Sequence, residues 1–388
     1  MLYSKLSRAG FLGGAASAVL AANASAAGGS LMTVVNQRPY DWATPLDEFN
    51  GALYTPNQLF FIRSHMGPPP SINVPAWRMT LDGLVEKPLH LSLADLKKMP
   101  KVEVPAVLQC AGNGRFLYGE AFPTVSHPAG AQWLYGGVGN ARWGGVRVRD
   151  LLHAARLKPQ ARFAADFGLD NPLLPTTPKF IRGIELEKLL DEDTIFAYEM
   201  NGEPLGYYHG APVRLIVGGW AGDHWVKWFS SMTITDAITP AFWTSVGYRY
   251  PDKLGKPGVG VKPTLEHPVT VLNVKSLITS PTHGAKLTKG QAVVISGVAW
   301  SGNGAYATRV DVSADGGKTW VPADLGPSPG KYSWRLFTRR FVPKHSGALS
   351  IMAKATDNMG ATQPKTSAWN PGGYLWNGIH TVSLEVGE

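Results

Sequence analysis

The chain has one cysteine, Cys110, and its surroundings suit a reactive thiol. It closes an apolar run, residues 102–108, in which Val102, Val104, Val107 and Leu108 read as a strand. It then opens the turn Ala111-Gly112-Asn113-Gly114-Arg115. Glycines there let backbone approach a ligand, and Arg115 is a cation that favours a thiolate and can face an oxyanion. A free cysteine at a strand end is equally a small buried hydrophobe, so this spacing leaves both readings open.

Two further clusters carry charge in chemically suggestive patterns. In Phe60-Phe61-Ile62-Arg63-Ser64-His65, alternation puts Arg63 and His65 on one strand face. If that face is buried, both groups need partners and an anionic ligand would satisfy them; if it is an exposed edge, water does so. The second cluster runs from His209 to Arg214 and continues through Gly218-Gly219-Trp220-Ala221-Gly222-Asp223-His224-Trp225-Val226-Lys227-Trp228. Gly-dense turns bracketed by His, Arg and Lys suit a phosphate, which backbone N–H groups and guanidinium forks both bind. Taken singly, each of these residues has an ordinary structural reading.

The familiar signatures are missing. No G-x-x-x-x-G-K-[ST] occurs, Gly137-Val138-Gly139 lacks the third glycine of a dinucleotide turn, and neither H-E-x-x-H nor G-x-S-x-G is found. One cysteine excludes an internal disulfide, a four-thiolate zinc site and a cysteine-ligated iron–sulfur cluster, and without C-x-x-C-H no c-type haem is attached.

The elements that must hold these clusters fall into two regimes. Over residues 54–250, helical patterns at 93–99 (capped by Ser92), 149–157 and 184–190 alternate with strand-like runs at 102–108 and 212–217. That is an α+β or mixed pattern rather than a βαβ series. Residues 251–268 read as a Pro- and Gly-rich linker. Beyond it, runs at 292–300, 307–313, 334–341 and 349–355, with Asp315-Gly316-Gly317 as a turn, predict a β-sandwich over 269–388. The 388 residues, 44% apolar with 13 Trp, suffice for two cores. The net charge of +9 favours anionic small molecules or surfaces and does not call for nucleic acid.

Lys5 and Arg8 precede a short apolar stretch and Ala24-Ser25-Ala26, which reads as a cleaved export signal over residues 1–26, with an extension over 27–53. The stretch is too short to span a bilayer, and no other segment is long and apolar enough to do so. Ser7-Arg8-Ala9-Gly10-Phe11-Leu12 resembles a twin-arginine signal lacking its second arginine; an ordinary secretory signal stays open. A periplasmic location is the expectation.

Taken in order, the segments resemble the sulfite oxidase family of molybdenum enzymes, most of all its bacterial sulfite dehydrogenases. The resemblance runs from about Tyr54 to the carboxy terminus. It is carried by Arg63-Ser64-His65, by Leu108 through Arg115, by Ala141-Arg142-Trp143-Gly144-Gly145-Val146-Arg147 and by Gly168-Leu169-Asp170. Tyr198-Glu199-Met200-Asn201-Gly202, His209 through Arg214, Ala299-Trp300-Ser301-Gly302 and Val310 through Gly317 extend it.

The resemblance implies a molybdopterin-binding domain over 54–250 and an immunoglobulin-like dimerisation domain over 269–388. It implies a molybdenum–molybdopterin cofactor with Cys110 as the protein's metal ligand, in keeping with soft-ligand preference. Phe61, Arg63, His65, Asp170, His209, Arg214, Trp225, Val226 and Lys227 fall at cofactor-holding positions. Arg63, Arg115, Trp133 and Tyr248 fall where the family builds its oxyanion pocket. Ser64 stands where Asn is common, and the tail 376–388 lacks an arginine that vertebrate members bring to the pocket. The implied activity is oxidation of sulfite to sulfate by a homodimer, with electrons leaving to an external c-type cytochrome. The alternative is a relative acting on protein-bound sulfur or a sulfoxide.

Overall fold

The computed structural model describes residues 32–388 apart from 38–39, 173, 253, 255–265 and 303. The expected export signal and most of the expected linker lie outside the described residues.

The strand leading to Cys110 is Val102–Gln109, and both of its faces are covered. Val104, Ala106, Leu108 and Cys110 enter the main core, while Val107 and Ala111 enter a second apolar cluster shared with the carboxy-terminal half. Alternation along one strand thus serves two cores. This strand pairs antiparallel with Val138–Arg147, which pairs with Thr194–Met200, which in turn pairs with Arg214–Val217. A second sheet orders Leu89–Leu91, Met79–Gly83, Phe229–Thr235, Phe163–Gly168 and Ile181–Glu185, with one parallel pair among antiparallel ones. That mixture matches an α+β architecture.

The helices are short. Ser92 caps Leu93–Lys98 in a reciprocal capping box with Asp95. The pattern at 149–157 is the helix Val148–Ala155, which ends where Arg156 turns left-handed. The expected helix at 184–190 needs correction: Ile184 and Glu185 close the strand Ile181–Glu185, and only Leu186–Leu189 is helical. Ile184 is fully buried and paired with Ala164, so sheet pairing overrides the local helical spacing. The run at 212–217 begins pairing only at Arg214.

The segment before residue 54 is built into the fold over its described part. Asp41–Ala43 pairs with Ile62–Arg63, and Phe49 meets Trp334 edge-on at 5.2 Å. The expected linker has ordered ends, since Arg249–Pro251 pairs with Glu266–Pro268.

The carboxy-terminal half is a β-sandwich. One sheet orders Lys275–Ser280, Val293–Trp300, Arg335–Phe341 and Asp324–Leu325. The other orders Lys286–Thr288, His380–Gly387, Gly347–Asp357, Ala307–Ser313 and Val321–Pro322. The expected turn is present: the Asp315 carboxylate accepts the N–H groups of Lys318 and Thr319 while Gly316 and Gly317 take positive φ. Trp300, Trp334, Leu277, Val298 and Leu375 pack on Val107, Ala111 and Val138, so one apolar core joins the two halves.

His380 shows how that junction responds to pH. Its Nδ1 accepts the Ile278 N–H at 2.9 Å, and its ring meets Tyr135 at 4.4 Å. Burial, aided by Lys275, lowers its pKa from 6.5 to about 3. The unfolded chain takes up this proton as pH drops below 6.5, and the folded chain does not. The histidine's contribution to stability is therefore whole above pH 6.5 and is lost toward pH 3. In cofactor-free protein, the stability difference between wild type and His380→Gln should grow with pH over that window by about 1.4 kcal/mol per unit. Parallel denaturation series at fixed ionic strength check this; a pH-independent difference contradicts it.

Candidate active site

A single cleft gathers Cys110, Phe61, Arg63, His65, Asp170, His209, Arg214, Trp225, Val226, Lys227 and Tyr248. These come from the turn after Val102–Gln109, the segment around Ile62–Arg63, the turn after Phe163–Gly168, the segments on either side of Arg214–Val217, and the residue just before Arg249–Pro251. Residues far apart in sequence thus meet in one place.

The cysteine turn is held from both sides. The Cys110 N–H donates to the Gly137 carbonyl at 2.9 Å, and the Gly137 N–H donates to Asn113 Oδ1 at 3.0 Å. Gly114 has φ +98, and a Cβ there would come within 2.6 Å of the Trp376 side chain, so only glycine fits. Burial pushes the Cys110 thiol up, and Arg63, Arg115 and the Gly112 N–H only partly offset this. Without a metal the buried site therefore favours the neutral thiol, and a bound metal would be what deprotonates it.

Arg63 and His65 do share a face, and that face is not an exposed edge. Phe60, Phe61 and Ile62 are buried beside it. Arg63 Nη1 donates to Asp41 Oδ1 at 3.0 Å and to the Ser64 carbonyl at 2.8 Å, while Nη2 lies 2.5 Å from His65 Nδ1. Burial opposes the Arg63 charge, but its pKa is nonetheless raised, and the Asp41 carboxylate is the anion that faces it. A guanidinium can only donate, so His65 Nδ1 is the acceptor and the ring hydrogen sits on Nε2. Burial and then Arg63 depress His65 to about 2, which keeps it neutral. The Tyr248 hydroxyl is 3.1 Å from the same nitrogen.

The opposite wall suits an anion and a polar ring. Arg214, 3% exposed, donates to the His209 and Trp225 carbonyls at 2.8 and 3.1 Å. Lys227 Nζ donates to Ser64 Oγ at 3.2 Å and to the Tyr208 carbonyl at 3.0 Å, which gives Ser64 a defined role. Desolvation pulls the Lys227 ammonium down and pushes the Asp170 carboxyl up. Gly210, at φ +108, lets this turn pass Lys227, where a Cβ would come within 2.9 Å.

Arg115 and Trp133 do not line the cleft. Arg115 Nε donates to the Gly372 carbonyl at 3.0 Å, Nη1 donates to the Ala131 carbonyl at 3.2 Å, and the guanidinium lies 5.1 Å from the Tyr374 ring. Carbonyls of the sandwich loop and of the 131 segment draw it away, so its charge reaches Cys110 through space. Trp133 is fully buried edge-on to Phe61 at 6.0 Å.

Some participants escaped sequence reasoning. Asp41 is 1% exposed, yet it sits in a segment without a motif. Asp223 lines the cleft and forms a buried ion pair with Arg182 at 2.8 Å, and His224 Nε2 contacts the same guanidinium nitrogen at 2.8 Å. Asp223 and His224 lay within the Gly-dense run, but nothing there pointed to Arg182 as their partner.

The donor set fits a molybdenum–pterin group. Among the described residues, no cluster of three or more His, Cys, Asp or Glu could hold a metal alone, so Cys110 would be one ligand among others brought in. Arg214 Nε and Asp170 Oδ2 are buried without partners, a donor and an acceptor left for a polar ligand.

Comparison with known proteins agrees. Residues 65–243 match the family model of the oxidoreductase molybdopterin-binding domain, and residues 266–387 match that of the Mo-co oxidoreductase dimerisation domain. Rattus norvegicus mitochondrial sulfite oxidase is 35% identical over 370 residues, covering 92% of this chain and 66% of that protein. Arabidopsis thaliana sulfite oxidase is 31% identical over 379 residues, covering 91% of this chain and 93% of that one. The chain thus spans about two thirds of the mammalian relative's length. The solved sulfane dehydrogenase SoxCD from Paracoccus pantotrophus is similar at a TM-score of 0.76 and 28% identity, covering 98% of this chain and 92% of that one. Fold and site together define a molybdopterin-dependent oxidoreductase. The chain belongs to the sulfite oxidase family, and its cofactor is the molybdenum–molybdopterin group.

Proposed function

We propose that this chain is an exported sulfite dehydrogenase that works as a homodimer and passes electrons to a separate c-type cytochrome. Sulfite and water become sulfate, two protons and two electrons. When bound, the molybdenum–pterin group supplies the oxygen-transfer and redox chemistry. Cys110 would ligate the metal, Arg214, Lys227 and His209 would hold the phosphate, and Asp170 would meet the pterin ring. The observation that carries the reading is the convergence of the Cys110 thiol and the Arg63 guanidinium on one cleft. Arg63, locked by Asp41 and His65, offers fixed positive charge to a small dianion. Tyr248 can turn its hydroxyl from His65 Nδ1 to a substrate oxygen without moving its ring.

Holoprotein given sulfite and cytochrome c tests this. Two cytochromes should be reduced for each sulfate formed, with about one molybdenum per chain. Full metal loading with no sulfite-dependent reduction sinks the proposal. The likeness to a sulfane dehydrogenase favours protein-bound sulfur as a second reading. A panel of sulfite, a sulfur-charged carrier protein and a sulfoxide, each with its matching redox partner, separates the readings.

A further inference from the structure

The sandwich braces the cysteine turn of the candidate active site through the loop that precedes its last strand. The Leu375 N–H donates to the Ala111 carbonyl at 2.8 Å, directly on the cysteine turn. The Tyr374 carbonyl accepts from the Tyr118 hydroxyl at 2.7 Å and from Asn370 Nδ2 at 2.9 Å, while the Tyr374 N–H donates to Asn370 Oδ1 at 2.9 Å. This bonding fixes the backbone from which the Tyr374 ring projects.

The ring has two partners: Tyr248, which lines the cleft, and Arg115, which lies outside the cleft lining and whose charge acts on Cys110 through space. It stacks on Tyr248 with centroids 5.5 Å apart and planes at 25°, and the Arg115 guanidinium lies 5.1 Å from its centre. Tyr248 needs such support, because its φ of +56 is a strained value for a bulky residue. Beyond it, the Arg182 guanidinium lies 5.4 Å from the Tyr248 ring. Arg182, Tyr248, Tyr374 and Arg115 form a continuous run of cation–ring and ring–ring contacts that crosses the domain boundary.

We propose that Tyr374 is a positioning residue for anion binding, acting on the cleft through Tyr248 and Arg115 without lining it. Tyr374 fixes where the Arg115 charge sits and how the Tyr248 hydroxyl faces the cleft. This rests on the cleft being an oxyanion site, as proposed above, but it does not require sulfite to be the physiological substrate.

The test uses holoenzyme with Tyr374→Leu, Tyr374→Phe, Arg115→Met and the Arg115→Met/Tyr374→Leu pair. Sulfate binding by titration calorimetry is the first readout, and the split of sulfite kinetics into KM and kcat is the second. Losing one stacked cation contact and one ring contact should weaken sulfate binding and raise KM about 10-fold in Tyr374→Leu, with kcat within about 2-fold. Tyr374→Phe keeps the ring and should recover most of the affinity. If Tyr374 acts through Arg115, the double variant should bind sulfate no more weakly than Arg115→Met alone. Wild-type affinity in a folded Tyr374→Leu, fully additive losses in the pair, or no sulfate binding by wild type would each overturn the inference. Wild type that binds sulfate but does not oxidise sulfite would instead overturn the proposed function and leave this comparison decisive.

Discussion

Cys110→Ser should retain its pterin and lose turnover. The contacts assigned to the cofactor's phosphate and ring lie on Arg214, Lys227, His209 and Asp170, none of which touches the thiol's own hydrogen bonds. A serine hydroxyl is hard and protonated near neutral pH, so it replaces a soft thiolate poorly. Changes one shell outside a metal commonly cost 10- to 100-fold, so loss of a direct ligand should cost at least about 100-fold. Pterin fluorescence after denaturation, molybdenum analysis and steady-state rates on one sample separate cofactor loss from ligand loss. A serine variant with wild-type turnover would contradict the assignment of Cys110.

Arg63 and Asp41 should fail in opposite ways. Arg63→Met removes a charge-assisted contact to the dianion, worth about 1.5–3 kcal/mol, so kcat/KM for sulfite should fall roughly 10- to 100-fold. Its cost to folding should be modest, because Asp41, whose pKa burial already raises, can take up a proton. Asp41→Leu is different. The guanidinium cannot discharge, and a cation left in a mostly enclosed site should cost about 3–5 kcal/mol of stability. The double variant should regain much of that stability and none of the activity. Denaturation of cofactor-free protein at pH 5, where a protonated Asp41 costs little while the guanidinium stays charged, beside kinetics of the loaded variants, reads both effects. Equal stability loss in the two single variants would argue against the asymmetry.

Much of this was legible in the chain itself. An apolar run gave the Cys110 strand, alternation gave the sandwich strands, and the Ser92 cap marked its helix to within a residue. The cleft residues from His209 to Lys227 were legible because His209–Arg214 and the Gly-dense run carry their signal locally. What stayed hidden depends on partners distant in sequence. Asp41 matters only once Ile62–Arg63 pairs with its strand, and Arg182 only once Asp223 is laid beside it. Arg115 has the spacing of a cleft residue, yet the Gly372 carbonyl sets its direction. The sandwich strands Lys275–Ser280 and His380–Gly387 were missed. The first has a polar start, and its Lys275 is buried against the Asn113 carbonyl instead of solvated.

The brace between Leu375 and Ala111 also constrains how the molecule is made. During synthesis the Cys110 turn leaves the ribosome long before its partner segment exists. Until the sandwich closes, Val107, Ala111 and Val138 have no Trp300, Trp334 or Leu375 to cover them. A nascent chain halted between the halves would present an apolar surface to chaperones and proteases, with the cysteine turn still lacking its brace. Biogenesis should therefore be ordered, with docking of the halves preceding stable retention of the cofactor, and a chain cut at the boundary would be lost to turnover before any question of catalysis arises.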